Sequence, residues 1–249
     1  MAEYVTRRLR PRLGRLDQGR RTTREVKVNM RSVAIVLALF AAIPVAAQQP
    51  QQQQRPRPLS PDGIASAQVL GAWVKSDRET FTMGGERYQD GRWIDILYGR
   101  PLLRGRDAFA GTGAEYGRAT YAGAPIWRAG ANVTTRLRSE VPLIFGNTTV
   151  PAGEHTLFIE LKSPTEWNMV VSGWRASPTF TPEDKQNTIY GAFGYTVDRD
   201  LVRVAMKVEA LPYRVEELAW EFIDMTTDSG RIAIRWDRAM SSAPFRVAR

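Results

Sequence analysis

The chain contains no cysteine and a single histidine, His155, in 249 residues. The first absence removes thiol catalysis, disulfides and every cysteine-based metal site, so the packed core alone must supply stability. The second leaves too few ligands for a zinc centre built on imidazole. It also leaves one residue to serve any Ser-His-Asp triad, yet the chain has no G-x-S-x-G elbow to supply the serine. His155 shares a strand face with Leu157 and Ile159, the setting of a structural or surface histidine. No Walker motif occurs. Gly111-Thr112-Gly113 with Gly117 has the wrong spacing for a dinucleotide loop, and no βαβ pattern follows it. No metal site and no cofactor is expected.

Long apolar runs are equally scarce. The one that exists, residues 33–47 (VAIVLALFAAIPVAA), carries no charge and is shorter than the ~20 residues of a membrane span. Arg31 precedes it and a glutamine tract follows. Val45-Ala46-Ala47 places small residues where a signal peptidase reads, which predicts cleavage after Ala47 and export to the periplasm or the medium, with no stable membrane span afterwards. Residues 1–29 are long and arginine-rich for a signal peptide. A start at Met30, with Arg31 as the charged flank, is the simpler reading.

The charge balance changes with that segment. The whole chain has a net charge of +9, but ten Lys and Arg and three acids fall within residues 1–47, which leaves +2 on residues 48–249. A nucleic-acid partner is therefore not expected, because binding to phosphates needs a retained basic surface. Residues 48–59 are rich in Gln and Pro and have little apolar surface to bury, which predicts a disordered or extended linker. Residues 60–249 are long enough for one domain with a substantial core.

What this domain has in plenty is period-two alternation. Strand side chains alternate faces, so a half-buried strand reads apolar-polar. Ile94, Ile96 and Tyr98 share one face of a strand over 92–100. A strand is predicted over 131–138, with Val133, Thr135 and Leu137 inward, and others over 141–145, 154–161 and 167–174. Val202, Val204, Met206 and Val208 alternate with Arg203, Lys207 and Glu209. Leu218, Trp220 and Phe222, then Ile232, Ile234 and Trp236, repeat the pattern. Leu211-Pro212-Tyr213 and Thr227-Asp228-Ser229-Gly230 read as separators. Earlier in the chain a first strand is predicted over 67–75, and the Gly- and Ala-rich stretch 110–130 as a long irregular connection. Thr181-Pro182-Glu183-Asp184 carries the signature of a short helix start. The predicted fold is all-β, a single antiparallel β-sandwich or jelly-roll-like domain with at most one or two short helices.

The motif W-R-x-G-A-N, at Trp127, Arg128, Gly130, Ala131 and Asn132, resembles that of a family of exported bacterial proteins, the domain of unknown function 2911 family. Ser60-Pro61, Tyr98-Gly99-Arg100-Pro101 with Gly105-Arg106, Pro151-Ala152-Gly153, Trp167 and the run 198–204 fit the same resemblance, which covers roughly residues 60–210. His155 departs from it, standing where an aromatic residue is expected. The resemblance implies an exported β domain and implies no activity.

Candidate chemistry is sparse. Asp198 and Asp200 flank Arg199, an arrangement that reads as turn capping with surface charge, since a lone D-x-D is weak evidence for calcium. Asn132-Val133-Thr134 and Asn147-Thr148-Thr149 match a glycosylation sequon that chance supplies in a Thr-rich chain. The most suggestive set is Arg100, Arg106, Arg128 and Asn132, near strand ends and glycines. Guanidinium forks match carboxylate and phosphate geometry, so these four can line a pocket for a carbohydrate or small anion. The favoured reading of these arginines is that each ties a loop to the sandwich through a carboxylate or carbonyl, as buried arginines are usually paired for structural reasons. The leading function is thus an exported non-catalytic β-sandwich domain, binding or structural, with a carbohydrate or small anion as the ligand such a pocket would take. The alternative is an exported hydrolase acting on a polysaccharide or ester through scattered carboxylates. Oligomeric state is not legible.

Overall fold

The computed structural model describes residues 58–75, 85–181 and 187–248. The apolar run, nearly all of the Gln/Pro-rich stretch and most of the helix-start signal at 181–184 lie outside these residues. Thirteen strands make up the described part: β1 (Asp62–Val69), β2 (Ala72–Lys75), β3 (Glu86–Gln89), β4 (Arg92–Gly99), β5 (Arg136–Ser139), β6 (Leu143–Phe145), β7 (Thr148–Val150), β8 (Gly153–Ser163), β9 (Glu166–Ser172), β10 (Arg175–Ala176), β11 (Thr188–Ile189), β12 (Asp200–Ile223) and β13 (Ser229–Val247). One short helix, α1 (Arg118–Tyr121), interrupts the long connection after β4. No helix among the described residues is long and apolar enough to cross a membrane.

Nine strands form one sheet in the order β1-β4-β5-β8-β9-β12-β13-β6-β7, every pair antiparallel. The sheet folds over on β12. The first part of β12 pairs with β9 and its remainder with β13. The two halves then share one core: Ile94, Leu137, Ile159 and Met169 from one side, Trp220, Ile234 and Phe245 from the other. Leu103 N–H donates to Glu216 O (2.9 Å) and Leu218 N–H to Pro101 O (3.0 Å), which bind the chain after β4 to the far half. The result is a sandwich-like all-β domain, as the alternation predicts.

Three local readings differ from the structure. The strand predicted over 131–138 begins only at Arg136, because Asn132 is left-handed (φ 60°) and leaves no extended ladder before it. The strand predicted over 67–75 is two, split at Leu70 (φ 64°). Leu211-Pro212-Tyr213 separates nothing: β12 continues through it, and the proline sits where the β12–β13 register slips between Ala210 and Val215. A proline cannot donate to a ladder, so a bulge is where it fits.

Strands β8 and β9 are buried on both faces. Leu157, Ile159 and Met169 face the main core, while Phe158 and Val170, paired across the strands, face a second cluster with Ile126, Ile189 and Tyr195. That second layer is made of irregular chain, and it carries the site.

Candidate functional site

Trp127 anchors the W-R-x-G-A-N motif. Its ring is fully buried, stacked on Trp236 (5.9 Å) and edge-on to Trp167 (6.1 Å), and its backbone exchanges hydrogen bonds with Ile159. The motif then turns tightly against the end of β4. Ala131 N–H donates to Gly99 O (3.2 Å), and a Cβ on Gly130 would lie 2.7 Å from Thr135 Oγ1.

The four residues singled out from sequence do not all meet. Arg100 donates from Nη2 to Glu217 Oε2 (2.5 Å) and from its backbone to Pro61 O (2.8 Å). Asn132 Nδ2 donates to Ser60 O (3.0 Å), and Arg128 Nη1 donates to Asn132 O (2.7 Å). These three thus form a chain of contacts around Ser60-Pro61. Arg106 belongs to a different loop, where Nε and Nη2 donate to Leu103 O (2.9 Å) and Leu102 O (2.7 Å). All three guanidiniums contact carboxylates or carbonyls of the chain itself.

On the outer face of the domain lies a cleft of about 450 Å³. Two strips of chain build it, one running from Trp174 to Thr181 and the other from Asn187 to Gly194, joined by the parallel pairing of β10 with β11. Phe180 stands edge-to-face against both Tyr190 (5.9 Å) and Phe193 (5.8 Å). Phe180 is 57% exposed and Phe193 38%, unusual for rings with an apolar core within reach. Trp174 lines the same cleft, and the guanidinium of Arg199 lies 4.1 Å from its ring centre. The hydroxyls of Ser177, Thr179 and Thr181 and the amide of Asn187 supply the polar part of the lining. Rings with a few convergent polar groups are the usual composition of a small-molecule site.

The strip from Asn187 to Gly194 is held by residues the sequence made conspicuous. Arg128 lies under it: its guanidinium is 5.8 Å from the Phe193 ring centre and fills the space a side chain on Gly191 would need. Gly191 has φ 65°, a conformation glycine takes at no steric cost. Burial pulls the Arg128 pKa below its ordinary value, with nearby Tyr190 acting the other way. Thr134 Oγ1 donates to Ile189 O (2.9 Å), and Arg199 Nη2 to Asn187 Oδ1 (2.8 Å). Beyond the strip, Tyr195 packs on Phe158 and donates its hydroxyl to Asp200 (2.7 Å), which also accepts from Arg203 (2.8 Å). Burial, and then the Asp200 carboxylate, push the Tyr195 pKa up strongly. The D-x-D stretch therefore serves this anchor through Asp200.

Arg128→Lys tests the support. Lysine has no planar fork to bond Asn132 O while lying along Phe193. The expected loss is about 1–3 kcal/mol, with faster amide hydrogen exchange over residues 187–194. A variant that melts and exchanges like wild type would show that Arg128 does not hold the strip.

A family model described as "Protein of unknown function (DUF2911)" matches residues 81–245. The chain belongs to the DUF2911 family. No curated protein and no solved structure matches it. The match begins after β2 and ends within β13, so the motif and the cleft of this DUF2911 domain both lie inside it. The cleft aromatics were missed by strand reasoning because Phe180, Tyr190 and Phe193 fall in a segment without alternation, while Trp174 reads as the end of the strand predicted over 167–174, which stops at Ser172. The available signal was the density of aromatics in a stretch otherwise rich in Ser, Thr, Pro and Gly, since binding residues concentrate on loops carried by a rigid scaffold.

Proposed function

We propose that this DUF2911 domain is an exported, non-catalytic binding module that takes a hydroxylated ligand of the carbohydrate class in the aromatic cleft. The observation that carries the reading is the pair of exposed rings, Phe180 and Phe193, set beside hydroxyls and an amide. A sugar offers C–H faces that lie on aromatic rings and a rim of hydroxyls that exchange hydrogen bonds. The two guanidiniums near the rings, Arg128 and Arg199, are engaged with Asn132 O and Asn187 Oδ1, which favours a neutral ligand over an anion. Export is supported by the apolar run at 33–47 and the small residues that end it.

Isothermal titration calorimetry against a panel of soluble oligosaccharides tests the binding. Saturable binding without hydrolysis is expected. Phe193→Ala should weaken it about fivefold, because ring stacking is worth roughly 1 kcal/mol. The melting temperature should hold, since the ring is partly in solvent. No binding across the panel, binding indifferent to Phe193, or turnover of the sugar would contradict the proposal. Intact mass of protein from an exporting bacterial host should correspond to a chain starting at Gln48, and a mass retaining residues 33–47 would contradict export by cleavage.

A further inference from the structure

A second concavity, of about 510 Å³, opens at the fold of the sheet, where the β12–β13 register slips beside Ala210 and Asp237. Its apolar side consists of Phe109, Tyr116, Pro164 and Val208. This surface is firmly backed: Phe109 stacks on Tyr116 (6.2 Å) and packs on Trp167 (4.8 Å) and Trp236 (6.2 Å).

The polar side is built on Asp237. It is only 6% exposed and sits at φ 53°, a left-handed conformation that non-glycine residues seldom hold. Strained backbone of this kind persists where the surroundings enforce it and concentrates at ligand sites. The carboxylate accepts from Ala108 N–H (3.0 Å) and from Arg214 Nε (2.9 Å). Arg214 Nη2 donates to Arg106 O, so the guanidinium is fixed in the wall from two sides. Arg214 Nη1 has no partner among the described residues. Arg238 lines the same concavity with only a 3.5 Å contact to Pro212 O. The acids here are all engaged: Asp237 as above, Asp107 with Phe109 N–H (3.1 Å) and Glu209 with Lys207 (2.9 Å). The donors with capacity to spare on this rim are therefore the two guanidiniums, Arg214 and Arg238, and they stand beside an apolar floor.

We propose that this concavity is a second binding site, separate from the aromatic cleft, for an organic carboxylate with an apolar body. The carboxylate head sits between Arg214 and Arg238, and a ring or short acyl chain lies over Phe109 and Tyr116. Charge-assisted bonds to guanidinium give the head its selectivity, and the floor gives the body its affinity.

Calorimetry on the mature chain with phenylacetate and hexanoate, and with uncharged phenylacetamide as control, tests this. The acids should bind saturably and about tenfold or more tighter than the amide, the difference expected of a charge-assisted pair. Arg238→Gln, at an exposed position, should keep the melting temperature and bring acid and amide to similar affinity. A saturating oligosaccharide bound in the cleft should not compete. The proposal is overturned if neither acid binds at millimolar concentration or if acid and amide bind alike in the wild type. It is also overturned if Arg238→Gln leaves their difference intact, or if the oligosaccharide displaces the acid. Failure of the oligosaccharide to bind at all would count against the cleft and leave the comparison of acid with amide to decide this site.

Discussion

Trp220→Ala should lose about 3–5 kcal/mol of stability, the range for aromatic-to-alanine changes in a core. The indole is 3% exposed and packs among residues of both halves of the sheet. Its Nε1–H donates to Ala129 O (2.9 Å), which among the described residues otherwise accepts only a longer bond from Thr135 Oγ1 (3.3 Å). One side chain thus fills the core and secures the W-R-x-G-A-N turn across the sandwich. Typical domains have about 5–15 kcal/mol in total, and no disulfide is present to compensate. For a domain of this size each kcal/mol moves the melting temperature by roughly 2–4 °C, so a fall of about 10 °C is expected. An unchanged melting temperature would show that the two halves do not meet at Trp220.

Gly99→Ala should be as damaging for a different reason. Gly99 is not in a left-handed conformation, so alanine costs nothing intrinsically there. The obstacle is another backbone: a Cβ would lie 2.1 Å from Ala131 O and 2.7 Å from its carbonyl carbon. A main-chain carbonyl cannot swing aside as a flexible side chain can. Either β4 or the motif turn must move, which breaks the Ala131 N–H to Gly99 O bond. Overpacking of side chains costs about 1–3 kcal/mol, and a clash with backbone belongs at or beyond the top of that range. Gly105→Ala is the control. Gly105 has φ 79° and nothing within 4 Å of the added carbon, so it should lose only the cost of a left-handed alanine, about 1–2 kcal/mol. Denaturant midpoints that rank the two variants the other way would contradict the close approach.

The strands that the sequence made legible are those with one wet face. Ile94, Ile96 and Tyr98 on β4 are buried as their alternation requires, with Trp93 exposed on the other face. Legibility failed where burial has two sides or where the ladder slips. Phe158 and Thr156 alternate with Leu157 and Ile159, yet all four are buried, because irregular chain covers the outer face of β8. Pro212 reads as a break and instead occupies a slip within one continuous strand. The motif residues were conspicuous for a reason that composition does not disclose. Arg128 and Asn132 support the strip behind the aromatic cleft and the chain at Ser60, and they do not line the cleft. The cleft itself depends on which rings remain in solvent, a property of the assembled surface.

The cleft as a carbohydrate site is tested most directly by nuclear magnetic resonance of the ¹⁵N-labelled domain titrated with the tightest-binding oligosaccharide. The indole N–H of Trp174 and the amides of Ser177, Asn187, Thr188 and Phe193 should shift progressively to saturation. The buried indole of Trp220 should stay in place, and the sugar should be recovered intact. Shifts that avoid residues 174–194, or a sugar cleaved during the titration, would contradict it.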